Sequence, residues 1–189
     1  MPNSPSRART LLAAALISMA SYAGAAHAES TVMVGGAPMY PSKNIVENAV
    51  NSKDHTTLVA AVKAAGLVDT LAGTGPFTVF APVNMAFDAL PAGTVDTLLK
   101  PENKEMLTKV LTAHVVAGKL SGAELMRKAK SHGGRFNMTT VSGDHLTAMM
   151  KGKSLYIIDE KGDAARVTIA DVNQSNGVIH VVNKVLLPN

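Results

Sequence analysis

The chain has 189 residues, with 18 Lys or Arg against 14 Asp or Glu, a formal net charge of +4, and no cysteine. No block of Lys and Arg interleaves with aromatic residues, so the footprint of a nucleic-acid binder is missing. Without thiols there are no disulfide staples, and stability must come from the core.

The first 28 residues read as a secretory signal peptide. Arg7 and Arg9 form the basic head, Leu11 to Ala20 the apolar core, and Ala26-His27-Ala28 the small-x-small cleavage site. That apolar core is too short to span about 30 Å of hydrocarbon. No cysteine is present for lipid attachment, and Arg7-Ala8-Arg9 is not a twin-arginine pair. The expected product is Glu29 to Asn189, 161 residues, with 16 basic against 14 acidic residues and a net charge of +2. It is expected in the periplasm or outside the cell, with no membrane span after cleavage. That length suits one domain.

Residues 29–41 carry Gly35-Gly36, Pro38 and Pro41, and read as an exposed lead-in to a domain over residues 42–189. A short capped helix is expected over 42–50. A better one is expected over 52–65, with Leu58, Val59, Val62 and Ala65 on one face, Asp54 as N-cap and Gly66 as stop. Leu67 to Leu71 adds a turn. Phe77 to Phe80 reads as a strand, ended by Pro82, and Asn84 to Leu90 and Gly93 to Leu99 as short helices. Pro101 suits the first turn of a helix reaching Ala113, whose inner face is Met106, Leu107, Val110 and Leu111. Ser121-x-x-Glu124 has capping-box spacing.

After Gly134 the pattern turns to β. Strands are expected over 135–141, 145–150, 154–158, 166–170 and 177–187, separated by glycine turns. Asn176-Gly177 is a tight-turn dipeptide that tolerates φ > 0. The run from Val178 to Leu187 is apolar and β-branched enough for a central strand. Helices first and strands after imply an α+β fold.

No catalytic constellation is legible. Gly-x-Ser-x-Gly, the phosphate-cradling loop and Gly-x-Gly-x-x-Gly are all missing, and Gly73-Thr74-Gly75 precedes a strand, the wrong order for a nucleotide loop. His55, His114, His132, His145 and His180 never fall three or four residues apart, so no metal site or cofactor is expected. Met149 and Met150 are neighbours on a strand and would point to opposite faces, as core fillers rather than copper ligands. His114 and His180 sit in apolar surroundings and read as buried, neutral, hydrogen-bonded residues.

The run Thr78-Val79-Phe80-Ala81-Pro82-Val83-Asn84-Met85-Ala86-Phe87 resembles the first sequence box of the fasciclin domain, and Gly177 to Pro188 resembles the second. Leu111 to Val116 resembles the central Tyr-His segment, with Ala113 in place of Tyr. Val83, Val182 and Asn183 depart from the usual Thr, Ile and Asp. The resemblance implies a wedge-like β-sandwich with helices packed along one side. It implies a secreted, non-catalytic adhesion or surface-binding module whose partner is a cell-surface or matrix protein or polysaccharide. In animal members, an Asp-Ile segment before the second box is assigned to integrin recognition, and Asp171-Val172 occupies that place here. One reading makes this pair an exposed contact on a loop over 170–176. The other has Val172 pack while Asp171 caps a turn. His114 is the next binding candidate. An alternative function is a periplasmic binding protein for a small apolar or polymeric ligand, and a third is a hydrolase with dispersed carboxylates.

The exported form is expected to begin at Glu29. Intact-mass measurement checks this, and a mass retaining residues 1–28 would refute cleavage after Ala28.

Overall fold

The computed structural model describes residues 31–189, so the signal segment lies outside the described residues. The chain opens with a hairpin of β1 (Val32–Val34) and β2 (Ala37–Met39). Helices α1 (Ile45–Ala49), α2 (Thr56–Ala65) and α3 (Val68–Ala72) follow. Next come β3 (Phe77–Pro82), α4 (Asn84–Asp88), α5 (Thr94–Leu98), α6 (Lys104–Thr112), β4 (Val115–Ala117) and α7 (Gly122–Ser131). Five strands complete the fold: β5 (Arg135–Thr139), β6 (His145–Lys151), β7 (Ser154–Ile158), β8 (Ala164–Gln174) and β9 (Gly177–Val182).

Strands β3 to β9 form one sheet in the order β4-β3-β9-β8-β7-β6-β5. Only β3 and β9, the strands of the two boxes, run parallel. The sheet curls until its ends meet. Val116 bridges Thr140, and the Val141 amide donates to the Val115 carbonyl at 2.8 Å. Strand β8 makes the curl possible. It pairs with β7 through Ala164–Arg166 and with β9 through Val167–Gln174, and its register shifts twice between Val167 and Val172. Such bulges bend a strand and raise its twist. The result is the wedge-shaped α+β architecture expected from the sequence.

Two cores flank β9. The first lies between the helices and the sheet, and takes Ile179, Val181, Val79, Val62 and Leu107. The second fills the curl, and takes Phe80, Val182, Leu146, Ile157 and Leu125 of α7. Every residue of β9 is therefore buried, as expected for a parallel pair covered on both faces. Phe87 closes a third, smaller cluster with Ala86, Val110 and Val185.

Local signals account for three of the seven described helices. Asn44 with Glu47 and Ser121 with Glu124 form capping boxes for α1 and α7. Gly66 ends α2 at φ 73°, where any side chain would be strained.

Several expectations are corrected. Residues 32–39 are not an exposed lead-in, because the β1–β2 hairpin buries Val34 and Met39 in the first core. Asp54 is not an N-cap. It lies inside a 3-10 turn over Lys53–His55, and α2 starts at Thr56. Met106 is exposed, since α6 turns only Leu107, Val110 and Leu111 inward. Strand β8 runs four residues beyond its expected end, and β9 stops at Val182. Neither Asn176 nor Gly177 has a positive φ. Gly177 is required for another reason: a Cβ there would collide with the Phe77 carbonyl of the parallel neighbour.

Phe80, Phe87 and Val181 are all buried, as expected. Truncating Phe87 to Ala removes the centre of the third cluster and is expected to cost about 3–5 kcal/mol. Denaturant melts check this, and a loss below about 1 kcal/mol would place Phe87 outside the core.

Candidate functional site

The three candidate binding residues do not form a surface. Val172 is 1% exposed and packs in the first core, so it offers nothing to a partner. His114 is 3% exposed. Its Nδ1 lies 2.8 Å from the Val110 carbonyl, and its Nε2 accepts from the Leu186 amide at 2.9 Å. Those partners require the Nδ1–H tautomer, neutral and saturated. The loop expected over 170–176 is the end of β8, followed by a turn at Ser175 and Asn176 alone.

Asp171 is half-buried and already committed. Its Oδ1 accepts from the Gly122 amide at 2.7 Å, in the first turn of α7. Its own amide donates to His180 Nδ1 at 3.3 Å. The residue sits at φ 60°, within the second register shift of β8, between Ile169 and Val172. Aspartate tolerates that left-handed conformation better than most residues, because its short side chain can bond locally. Asp171 thus pins the bulge to a helix N-terminus, where a carboxylate is favoured. Val172 packs, as the second reading has it, but Asp171 bonds to the start of α7, 49 residues away in sequence, rather than capping a turn.

His180 is saturated like His114. Its Nε2 lies 2.8 Å from the Leu120 carbonyl, its Nδ1 accepts from Asp171, and its ring stacks on Phe80 with centroids 5.7 Å apart. Burial lowers the pKa of both rings, which outweighs the carbonyl each faces and the nearby Asp159 or Asp171.

His55 is the third buried histidine, and its ring is not saturated. Ser52 Oγ lies 2.8 Å from Nδ1, but Nε2 makes no hydrogen bond. The Ala81 carbonyl acts on the ring without reaching hydrogen-bond geometry. Burial again dominates and lowers the pKa, so the ring is neutral. It borders a cavity of about 60 Å³ between α1, α2, α3 and the β3–β9 face, with an almost wholly apolar wall. Val62, Leu71, Ile179 and Val172 line the interior, and the exposed Lys63 also borders it. Sequence reasoning passed over this pair. The available signal was Ser52-x-x-His55, a spacing that brings both side chains to one side of a 3-10 turn.

Among the described residues, no group of three or more His, Asp or Glu is placed to hold a metal ion. None of their helices is long and apolar enough to cross a membrane.

The fasciclin domain family model matches residues 53–188, from the 3-10 turn to the end of the second box. The chain belongs to the fasciclin domain family. Within that family it is 46% identical over 160 residues to protein sll1483 of Synechocystis, covering 85% of this chain and 82% of that one. It is 32% identical over 149 residues to the cell surface glycolipoprotein MPB83 of Mycobacterium bovis, covering 74% and 58%. A fasciclin domain pair from the insect cell adhesion molecule fasciclin I shares the fold, with a TM-score of 0.69 at 18% identity. The alignment covers 78% of this chain and 52% of that one.

The buried histidines contribute to the acid response of this fasciclin domain. His114 is depressed to about 4, against 6.5 when unfolded. Between those values the unfolded chain binds the extra proton, so the His114 contribution to stability falls as pH drops from 6.5 and is constant below about 4. His114 alone accounts for about 3 kcal/mol across that window, and His55 and His180 act in the same direction. Denaturant melts of a His114→Phe variant are expected to show a shallower pH dependence than the parent. An equal slope would mean that His114 is not buried neutral.

Proposed function

We propose that this fasciclin domain is an exported, non-catalytic adhesion module that contacts a cell-surface or matrix protein or polysaccharide. Family membership over residues 53–188 carries the reading. The cell-surface relative and the fold shared with a cell adhesion molecule support it. The ends of the curled sheet meet through Val116 and Thr140, which closes that stretch of edge to strand addition. Contact therefore falls to exposed side chains on a rigid scaffold.

The exposed stripe of β8 is the best such surface near the second box. Thr168, Ala170 and Asn173 are exposed on β8 and Ser175 in the turn after it, whereas Asp171 and Val172 are turned to internal work. These side chains are small, and all but Ala170 are polar, so single-domain affinity should be weak and adhesion should rest on many copies.

The test is adhesion of beads coated with the mature protein to cells and to matrix. A Thr168→Arg, Asn173→Arg variant, shown by melting to be folded, is expected to bind at least about tenfold less. Parent beads that bind no better than beads coated with unfolded protein would refute the adhesion reading. A folded variant that binds as the parent does would refute the β8 stripe alone.

A further inference from the structure

We infer that the outward face of strands β5 to β8 binds an anionic polysaccharide along the row Arg135, Met149, Tyr156 and Arg166. Export to where such polymers lie comes from the adhesion reading, on which this site rests, but the surface is distinct from the β8 stripe that begins at Thr168.

The first observation is register. Leu146, Ala148, Leu155, Ile157 and Ala165 point into the second core, where Leu125 of α7 covers them. Successive residues of a strand point to opposite faces, so the residues between these face outward. Arg135 lies opposite Met149, Met149 opposite Tyr156, and Tyr156 opposite Arg166. Four strands about 4.8 Å apart make this a row of roughly 14 Å. Its ends are exposed arginines, and its middle is a half-buried methionine and tyrosine.

The second observation is charge. Strands β5, β6 and β7 contain no Asp or Glu, and β8 has none before Asp171. The ion pairs of the described residues are Lys109–Asp144, Arg127–Glu124 and Lys184–Asp163, which leaves both arginines of the row unpaired. Lys151 lies two positions beyond Met149, and Lys153 follows in the β6–β7 turn, both exposed and also outside those pairs. The nearby acidic residues lie in the turns at the other end of these strands. Two of them are tied down there, Asp144 by the Ser142 hydroxyl and Asp159 by the Leu187 amide. Four free cations on a face without an anion attract a polyanion.

The order of residues in the row favours a sugar polymer. Guanidinium forks match the paired oxygens of a carboxylate or sulfate at each end. Between them Tyr156 offers an apolar ring with a polar tip, suited to the flat face and the hydroxyls of a sugar. Asn137 and Thr147, joined at 2.8 Å in the adjacent row, add polar groups for further hydroxyls. A protein partner would need about 800 Å² of surface with an apolar centre, and a row one residue wide does not supply it.

The experiment titrates the mature protein with polygalacturonate by calorimetry, beside neutral dextran and polyglutamate. Binding to polygalacturonate is expected, with none to dextran and weaker binding to polyglutamate, which has the charge without the sugar. Arg135→Gln with Arg166→Gln, at exposed positions and shown by melting to be folded, is expected to weaken binding at least about fivefold. Tyr156→Leu is expected to weaken it about threefold, and if that variant does not fold the arginine pair carries the test. Lys100→Gln with Lys104→Gln removes the same charge from exposed positions of the helical half, and is expected to leave affinity unchanged. No binding in the parent, or an equal effect of the arginine and lysine pairs, would overturn the row. Unchanged affinity in a folded Tyr156→Leu would overturn the stacking role. Equal binding to polyglutamate, or tighter binding to phosphatidylserine vesicles, would overturn the polysaccharide partner. None of these outcomes bears on bead adhesion through the β8 stripe, so the two readings fail separately.

Discussion

The side-chain amide of Asn176 joins the helical half of this fasciclin domain to its sheet. Its Oδ1 accepts from the Ile45 amide at 3.0 Å, at the start of α1. Its Nδ2 donates to the carbonyls of Leu71 and Gly73 at 2.8 and 2.7 Å, at the end of α3. Its own carbonyl accepts from the Phe77 amide at 3.0 Å, where β3 begins. Helix ends leave donors and acceptors unpaired, and burying them without partners is costly. One residue supplies partners to two helix ends and registers β3 beside β9. Removing its amide would strand three backbone groups at once, two of them buried.

The other polar residues of the buried interior work in the same way. Asn48 contacts Gln174 and exchanges hydrogen bonds with the Tyr40 backbone, so α1, the first hairpin and β8 share one network. Thr78 donates to the Gly118 carbonyl and accepts from the Leu120 amide, holding the connection into α7. Asp159 accepts from the Leu187 amide and ties down the chain end. These are satisfied pairs, and they make relative placement of the layers specific rather than merely favourable. His55 is the exception, since its Nε2 makes no hydrogen bond and only faces the Ala81 carbonyl.

The histidines and Asp171 show how far local reading reaches. Apolar neighbours around His114 and His180 pointed correctly to burial, because a strand with both faces covered has no polar side. The same logic could not be applied to Asp171-Val172. Two register shifts in β8 change which side chains face inward, and a one-residue slip exchanges the faces of a strand. The loop expected over 170–176 was polar in sequence, yet it continues as paired strand because β9 lies alongside it. Local polarity was overridden by the partner strand.

Sequence alone determined the α+β order of elements, the capping box of α7, the stop at Gly66 and the central, buried β9. Each of these depends on residues within one turn or one strand of each other, so short-range chemistry suffices. Only the tertiary structure decided that residues 32–39 form a buried hairpin, that Gly177 serves close approach to Phe77, and that Asn176 bonds partners more than 100 residues away. It also decided that Ser52, His55 and the β3–β9 face enclose a cavity. Those features arise where segments distant in sequence meet, and no local pattern encodes the identity of a partner brought in by the fold.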